Sequence, residues 1–384
     1  MTLGLYIQVP FCQTKCTYCN FHTGVVSPDR FEPYAHSVAR EIRACEDAEG
    51  TMVDTIYFGG GTPSLLAPSA LKQILAALHE RYSVERAETT LEADPETISA
   101  EKAGEWLAAG FNRISLGTQS FRDNELKAAG RMHRRSDIFA ANETLRVAGF
   151  TNISMDLIAG LPHQTRDSWE ASVSELLAIR PEHVSIYLLE VDEGSRLGRE
   201  SLAGGSRYGV AEIPSDDMQA DFYESACARL AEAGYDHYEI SNWALPGRHS
   251  RHNLKYWRRE PYLGFGAGAH SFDRKARWAN VHDSLRYTEL IGKGISPREQ
   301  IEPVTPAQAF DEEFFLGLRQ LEGIDLDAIE KHYNGDFSAR LKTIRTAVER
   351  LRREGLVETV GARLRLAPRR LAVSNEVFVE LLSN

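Results

Sequence analysis

Three cysteines near the start of the chain, Cys12, Cys16 and Cys19, are the residues best suited to do chemistry. Their C-x₃-C-x₂-C spacing places three thiolates in one short loop, and thiolates are the usual protein ligands of iron–sulfur clusters. Three cysteines can bind three irons of a [4Fe–4S] cubane and leave the fourth iron without a protein ligand. That open iron could chelate the amino and carboxylate groups of a small molecule.

Zinc is the alternative occupant of such a loop. The chain has five cysteines in 384 residues, and in a reducing compartment three crowded cysteines indicate metal binding rather than disulfides. Structural zinc usually takes four protein ligands arranged as C-x₂-C pairs, and His22 could supply the fourth ligand here. The spacing favours the iron–sulfur cluster.

Six short apolar runs alternate with longer amphipathic stretches, such as the helical patterns of residues 67–81 and 134–148. Strands alternating with helices predict a parallel sheet with right-handed crossovers, which can curl into a partial barrel. The site of such a barrel lies at the carboxyl ends of its strands. The six predicted strands are residues 3–9, 55–58, 89–93, 113–117, 153–158 and 183–189.

Residues suited to chemistry fall at or just beyond the ends of these predicted strands. The cysteines follow the first strand, and a glycine-rich segment, GGGTPS at residues 59–64, follows the second. Glycine allows a ligand to approach the backbone, whose N–H groups can meet a carboxylate, although a glycine triplet alone is more often a tight turn. The polar residues at later strand ends are Glu92, Asp94, Gln119 and Asp156.

These motifs resemble those of the radical SAM superfamily, whose members bind a [4Fe–4S] cluster and S-adenosylmethionine (SAM). The CxxxCxxC pattern after a short strand, with Tyr18 before its last cysteine, carries the resemblance. The chain is most similar to the subgroup that contains oxygen-independent coproporphyrinogen III oxidase and the heme chaperone HemW, as seen in LYIQVPFC, IYFGGGTPS, LEADPE, ISLGTQSF, GRMH, MDLIAGLPHQT and SNEVFVELL. The fold class that the resemblance implies is α/β: a partial (β/α)6 radical SAM barrel, a C-terminal α+β extension and a winged-helix-like module.

The resemblance also implies which residues contact SAM. Tyr18 would flank the cluster or a ligand. For Asp156 and Arg131, a helix cap and a solvated ion pair are the respective alternatives. The implied SAM contacts are Tyr6, Gly60, Gly61, Thr62, Glu92, Gln119, Arg131 and Asp156.

Two departures from the oxidase favour the chaperone. The oxidase resembles CxxxCxxCxC, but Phe21 stands where its last cysteine would be, and Cys12 follows the start of this chain with no long extension before it. A segment beginning at His252, HNLKYW, resembles the HNxxYW motif of HemW proteins. Imidazole can ligate heme iron, so His252 is a candidate heme ligand. The alternative is that His252 and Asn253 form a hydrogen-bonded corner inside the fold.

Three units are expected: residues 1–200 as the barrel with the cluster and SAM site, 201–304 as the extension, and 305–384 as the winged-helix-like module. Residues 198–216, rich in Gly and Ser, predict a loop, and Ser215 predicts a helix start. The net charge of −11 argues against a nucleic-acid partner. The arginines of residues 340–353 lie at helical spacing with Glu349 and Glu354 interleaved, which favours a solvated helix face over a DNA contact.

The sequence thus predicts a heme chaperone that binds heme, a [4Fe–4S] cluster and SAM. The resemblance implies transfer of heme to an acceptor among membrane-associated respiratory heme proteins. The alternatives are a radical SAM coproporphyrinogen decarboxylase and an iron–sulfur regulatory module with a DNA-contacting tail. No apolar run reaches membrane-spanning length, and no signal peptide is recognised, so a cytoplasmic location is expected.

Overall fold

The computed structural model describes residues 2–333 and 337–382. All six predicted barrel strands are confirmed, because each run of β-branched and aromatic residues forms a buried strand. They are paired in parallel and in sequence order. The strands are β1 (Leu3–Val9), β2 (Val53–Gly60), β3 (Glu88–Ala93), β4 (Arg113–Gln119), β5 (Ile153–Ala159) and β6 (His183–Leu188).

Amphipathic helices connect these strands and cover the outer face of the sheet. The helical patterns of residues 67–81 and 134–148 are confirmed, with Ala67 and Arg134 as the N-cap residues. Gly149 ends the second of these helices in a left-handed conformation with a φ of 108°, which glycine adopts without a steric penalty. The helices are α1 (Phe31–Ala44), α2 (Pro68–Arg81), α3 (Ala100–Ala109), α4 (Asp123–Ala128), α5 (Arg135–Ala148) and α6 (Arg166–Ile179).

The sheet continues beyond the six barrel strands at both sides. One further strand lies parallel to β1, and three antiparallel strands follow it; on the other side two strands continue from β6. All six barrel strands contribute side chains to one internal cavity, so the sheet curves around a common interior, as expected for a partial barrel. The added strands are β7 (Asp236–Glu239), β8 (Asn242–Ala244), β9 (Tyr262–Phe265), β10 (His270–Phe272), β11 (Ala276–Asn280) and β12 (Arg298–Pro303).

The loop prediction for residues 198–216 is wrong in part. A helix, α7 (Arg196–Leu202), covers its start, and its N-cap Ser195 accepts a hydrogen bond from the Gly198 amide. The predicted start at Ser215 is confirmed, because its side chain caps α8 (Asp216–Glu232). The expected unit boundary at residue 200 therefore lies inside α7, and the boundary at residue 304 lies just before α11 (Pro306–Phe315).

The C-terminal unit combines helices with a small antiparallel sheet in the order expected of a winged-helix-like module. Residues 357–366 form a hairpin, which supplies two of the three strands of this sheet. Its remaining elements, with the two helices α9 and α10 that precede α11, are α9 (Arg251–Trp257), α10 (Ser284–Gly292), β13 (Ile324–Asp325), α12 (Leu326–His332), α13 (Ser338–Arg353), β14 (Val357–Val360), β15 (Arg363–Leu366) and α14 (Ser374–Leu382).

Arginines of α13 are paired with carboxylates of the same unit. Arg340 contacts Asp311 at 2.6 Å, Arg345 contacts Glu330 at 2.5 Å, and Arg350 contacts Glu380. These pairs reduce the positive charge that a DNA backbone would need to meet. Of the helices that the structure describes, none combines the length and apolarity that crossing a bilayer requires.

Glu41 of α1 ties the extension to the barrel. Its buried carboxylate accepts hydrogen bonds from the Gly266 amide at 2.8 Å, Asn280 Nδ2 at 2.6 Å and the Tyr287 hydroxyl at 2.5 Å. Burial raises the pKa of Glu41 to about 7. One side chain of the barrel thus satisfies donors from three separate segments that follow β9.

We expect Glu41→Ala to lower the free energy of unfolding by about 2–4 kcal/mol, because it leaves a cavity and three unpaired buried donors. Chemical denaturation of the cluster-free chain measures this change. Glu32→Ala, at an exposed position of the same helix, is the control and should change stability by less than about 0.5 kcal/mol. Equal effects of the two substitutions would contradict the anchoring role.

Candidate functional site

The cysteine loop follows β1 and is fixed by backbone hydrogen bonds at both of its ends and in its middle. The Cys12 amide donates to Gly24 O at 3.0 Å, and the Thr17 amide donates to Ala129 O at 3.0 Å. The Leu197 amide then donates to Thr17 O at 2.7 Å. The loop is therefore held between the end of α4 and the start of α7, although it has little regular structure of its own.

The three thiols lie in one half-buried environment. Burial raises the pKa of Cys12 to about 11 and also raises the pKa of Cys19, and the neighbouring Cys16 thiol raises both pKa values further. Cys16 is therefore close to both of the other cysteines. Thiols with raised pKa values stay protonated at neutral pH until a cationic centre displaces their protons.

The donor set fits a cubane better than a single ion. Within residues 2–333 and 337–382, no three His, Cys, Asp or Glu side chains lie close enough together to hold one metal ion. A cubane does not need that closeness, because each cysteine binds a different iron. His22, the candidate fourth ligand for zinc, lies against His282 with ring centroids 4.3 Å apart.

The glycine-rich segment lies directly against the cysteine loop. A Cβ at Gly60, where φ is 107°, would lie 2.4 Å from the Gln8 side chain, and one at Gly61 would lie 2.5 Å from Phe11 O. Only glycine fits this close approach. The predicted exposed amides are not found at three positions: Gly60 N donates to Glu92, Gly61 N to Val9 O and Thr62 N to Phe11 O.

Arg131 connects the cysteine loop to the barrel strands. Its guanidinium donates to Asp94, to Gly117 O at 3.0 Å and to Cys16 Sγ at 3.4 Å. The Arg131 side chain is 8% exposed, so the alternative of a solvated ion pair is wrong. Thr62 Oγ1 also donates to Asp94, at 3.0 Å. A thiol, a carboxylate and the glycine-rich segment thus meet around one buried cation.

Gln119 and Tyr18 flank this group. Gln119 ends β4 in a left-handed conformation with a φ of 62°, next to an irregularity in its pairing with β5. A Cβ at Gly117 would lie 3.1 Å from Gln119 Nε2 and 3.0 Å from Arg131 Nη2. Both side chains therefore pack against the same face of Gly117. Tyr18 packs against a small apolar cluster that includes Leu161 and Leu197.

The strand ends that carry the cysteine loop and Arg131 form the mouth of the barrel. A polar cavity of about 210 Å³ lies in the barrel interior next to this mouth. Tyr6, Glu92 and Asp156 line it. Asp156 Oδ1 is buried and has no hydrogen-bond partner within 3.5 Å, although the Ser185 and Ser115 hydroxyls lie near enough to the carboxyl group to oppose the rise of its pKa. Asp156 lies within β5, so the helix-cap alternative is wrong. An unpaired acceptor beside a polar cavity fits a ligand that carries hydroxyl or ammonium donors.

Glu92 joins the mouth to the cavity. Its carboxylate accepts from the Tyr57 hydroxyl at 2.7 Å and from the Gly60 amide at 3.2 Å. Burial raises the pKa of Glu92 to about 7, and the nearby Asp156 raises it further. Burial likewise raises the pKa of Asp156 to about 6. The pKa values of both carboxyl groups are raised because burial disfavours their charged forms. A cationic ligand in the same cavity would stabilise those charged forms.

His252 lies at the opposite end of the barrel from the cysteines. Its ring is 1% exposed, and Nδ1 pairs with Thr55 Oγ1 at 2.9 Å while Nε2 pairs with the Tyr256 hydroxyl at 2.8 Å. The backbone of α9 is held by Glu88, the first residue of β3. The structure therefore has the hydrogen-bonded corner that the sequence left as an alternative, and α9 closes the floor of the barrel.

The sequence singled out Asp94 as a polar residue at a strand end without giving it a partner, and it did not single out Tyr57 or Gln8. Each of the three lies two residues along the chain from a residue of the predicted site or of the glycine-rich segment. Gln8 is two residues from Tyr6, Asp94 from Glu92, and Tyr57 from Gly59. Since side chains alternate across a strand, the period of two could have placed them on the inner face. Their partners could not be predicted, because those lie on other strands.

We expect Glu92→Gln to stabilise the ligand-free chain at pH 8. A raised carboxyl pKa means that the folded state holds a proton which the unfolded state has lost, so stability falls as the pH rises from about 4 to about 7. Glutamine has no charge to desolvate, and its amide can donate to the Tyr57 oxygen. The expected gain is about 1–3 kcal/mol at pH 8 and smaller at pH 5.5.

Denaturant unfolding of the cluster-free chain at both pH values measures this difference. Glu143→Gln, at an exposed position of α5, is the matched control and should show no pH-dependent gain. A Glu92→Gln variant that is less stable than the parent at pH 8 would show that the carboxylate is satisfied without a ligand.

Two family models match the chain. The radical SAM superfamily matches residues 6–176, which hold the cysteine loop and β1–β5, and the HemN C-terminal domain matches residues 304–370. The fold is similar to that of coproporphyrinogen III oxidase (HemN) from Escherichia coli, with a TM-score of 0.85 and 22% identity, covering 100% of this chain and 89% of that one. At this identity the likeness shows the fold, and it confirms the predicted architecture.

Curated relatives match over almost the full length. Heme chaperone HemW of Bacillus subtilis is 33% identical over 97% of both chains. Heme chaperone HemW of Mycobacterium tuberculosis is 35% identical over 99% of this chain and 94% of its own. Because the cysteine loop, the glycine-rich segment and the floor helix all lie within these matches, the chain belongs to the HemW family of the radical SAM superfamily.

Proposed function

We propose that this protein is a heme chaperone: it binds heme, a [4Fe–4S] cluster and SAM, and passes the heme to an acceptor protein. The observation that carries the proposal is the near full-length similarity to proteins named heme chaperone HemW, together with the three-cysteine loop whose Cys16 thiol contacts Arg131 at the barrel mouth. Both the shared scaffold and the local chemistry support it.

Cys12, Cys16 and Cys19 are the proposed ligands of the cluster. With three thiolates on three irons, the fourth iron remains available to the amino and carboxylate groups of SAM. When bound, the cluster supplies an electron to the SAM sulfonium. Arg131 places its cation 3.4 Å from Cys16 Sγ, where it offsets the negative charge of a thiolate-ligated cluster.

The SAM contacts are proposed around the mouth and the upper cavity. The glycines bring the glycine-rich segment against the cysteine loop, and the buried carboxylates of Glu92 and Asp156 accept from the ammonium or ribose hydroxyl groups of SAM. Asp156 Oδ1, which has no partner of its own, is the clearest acceptor for such a hydroxyl. The proposed set is Tyr6, Gly60, Gly61, Thr62, Glu92, Gln119, Arg131 and Asp156, with Tyr18 flanking the cluster.

The role of His252 as a heme ligand stays a prediction. Burial lowers the pKa of His252 to about 3, so the ring is neutral, but both of its nitrogens are already hydrogen bonded. Ligation of heme iron would require the ring to leave Thr55 or Tyr256 and the floor of the barrel to open. A heme that binds without such an opening needs a different imidazole.

The acceptor is proposed to be a membrane-associated respiratory heme protein, reached from the cytoplasm. SAM and the cluster would regulate or assist the transfer, and the chaperone role requires no oxidation of a porphyrin side chain.

Oxygen-independent coproporphyrinogen III oxidase is the second candidate, because the full chain shares its fold. That enzyme would use a radical derived from SAM to abstract hydrogen from the propionate side chains of its substrate. Phe21 stands in this chain where the oxidase pattern has its last cysteine. This departure favours the chaperone.

We expect titration of the purified, cluster-containing protein with heme to give a saturable Soret band near one heme per chain. The loaded protein should then give up its heme to a heme-free respiratory cytochrome in membrane vesicles, measured by recovery of the cytochrome spectrum. Free heme at the same concentration is the control for spontaneous uptake. Absence of saturable binding would contradict the chaperone function.

Anaerobic incubation with coproporphyrinogen III, SAM and a reductant separates the two candidates. The chaperone proposal predicts that no protoporphyrinogen forms, even though the cluster is intact. Turnover to the decarboxylated product, detected by chromatography after oxidation to the porphyrin, would favour the oxidase instead.

A further inference from the structure

Three histidines from distant segments of the chain converge beside the cysteine loop. His22 follows the last cysteine, His270 begins β10 and His282 follows β11. The rings of His22 and His282 have centroids 4.3 Å apart, and those of His270 and His282 have centroids 6.4 Å apart. We call these three residues the histidine cluster.

The histidine cluster lies at the protein surface, and its ring nitrogens have no hydrogen-bond partner among the described residues. In the part of the chain that the structure describes, none of the three rings makes a hydrogen bond or an ion pair, and all three residues are exposed. His252 differs on both points, since it is buried and paired at both nitrogens. His183 is likewise buried, with Ser154 and Tyr238 as its partners. Other exposed histidines, such as His79 on α2 and His163, lie elsewhere in the chain, whereas the histidine cluster brings three rings together beside the cysteine loop.

The arrangement does not suit a free metal ion. Among the described residues, no group of three potential ligands could hold one ion, and this includes the histidine cluster. Heme iron has a different requirement, because the porphyrin fills its four equatorial positions and one protein imidazole is enough for axial ligation. A second imidazole beside the first can then orient it or replace it.

Apolar side chains accompany the histidine cluster on the same segment. Phe21 is 67% exposed and Val25 is 60% exposed, so both present apolar surface to solvent. Phe21 directly precedes His22 in the chain, so one short segment carries both an exposed aromatic side chain and an imidazole, the two kinds of group that a heme uses. Phe21 occupies the position at which the oxidase pattern has a cysteine.

The segment that carries Phe21 and His22 is held to the cysteine loop by its backbone. The Gly24 amide donates to Pro10 O at 2.9 Å, and the Cys12 amide donates to Gly24 O at 3.0 Å. The ring of His282 lies close to Gly268, where a Cβ would be 3.0 Å from its Nδ1. A heme on this surface would therefore lie beside the cluster and outside the barrel.

We propose that the histidine cluster is the heme-docking site, with His22 or His282 as the axial ligand and Phe21 as an apolar contact. The proposal rests on the proposed heme-chaperone function and names the surface that performs it. It explains how a heme can be taken up and released without opening the floor of the barrel around His252. It also lets an acceptor protein reach the heme from solvent.

Heme titration of the cluster-containing protein tests the proposal with three variants. The double variant His22→Ala/His282→Ala should bind heme at least tenfold more weakly than the parent and lose the visible bands of imidazole-ligated heme. His79→Ala, which removes an exposed histidine from α2, is the matched control and should bind like the parent. His252→Ala should retain heme binding.

Iron-free protoporphyrin IX provides a second measurement. The parent should prefer heme to the iron-free ring, and the double variant should lose this preference, because only iron uses the imidazole. Iron and sulfide contents equal to those of the parent would show that the double substitution leaves the cluster intact.

A parent that binds no heme would refute the chaperone function itself. A parent that binds heme, with a double variant that binds it equally well, would overturn the docking site alone. Loss of binding in His252→Ala but not in the double variant would also overturn it and return the heme to the floor of the barrel.

Discussion

The buried guanidinium of Arg131 is the interaction on which the arrangement of the site depends. It lies between the Cys16 thiol and the Asp94 carboxylate and also donates to the Gly117 carbonyl. A buried cation is costly unless it is paired, and Nη1 and Nη2 make these contacts, so they fix the cysteine loop relative to β3 and β4. Thr62 extends the same contact to the glycine-rich segment through Asp94. Three separate parts of the chain are thereby held in one place, where three thiols can share a cluster.

The two ends of the barrel carry different groups of residues. The carboxyl ends of the strands carry the cysteines, the glycine-rich segment and Arg131, whereas α9 closes the starts of the strands with His252 inside. Tyr57 links the ends, because its hydroxyl donates to Glu92 and its ring stacks on His252 at 5.1 Å. The HNxxYW segment therefore packs beneath Tyr57, on the floor side of the barrel, and Tyr57 in turn holds Glu92, one of the residues proposed to contact SAM. On the proposed assignments, heme and SAM would not share the barrel interior.

Local patterns predicted most of the fold. Apolar runs of strand length, the helical period and Ser215 as a cap were sufficient for β1–β6, α2, α5 and the start of α8, because each depends on residues close in sequence. Cys12, Cys16 and Cys19 were recognisable from spacing alone. The helix α7 was missed, since its glycine and serine content suggested a loop. The contact of His22 with His282 could not be predicted, because it requires the curvature of the whole sheet and the return of β11 to β1 through β9 and β10.

The amides of the glycine-rich segment also show where sequence reasoning stops. Glycines predicted close approach, and the close approach is present, but the partner is the protein's own backbone and Glu92.

The central claim remains that three thiolates hold a cubane with one iron open to SAM. Anaerobic preparation, iron and sulfide analysis, and electron paramagnetic resonance of the reduced protein before and after addition of SAM test it most directly. We expect close to four irons and four sulfides per chain and a signal that shifts with SAM; bound zinc, or a cluster signal that SAM leaves unchanged, would contradict the account.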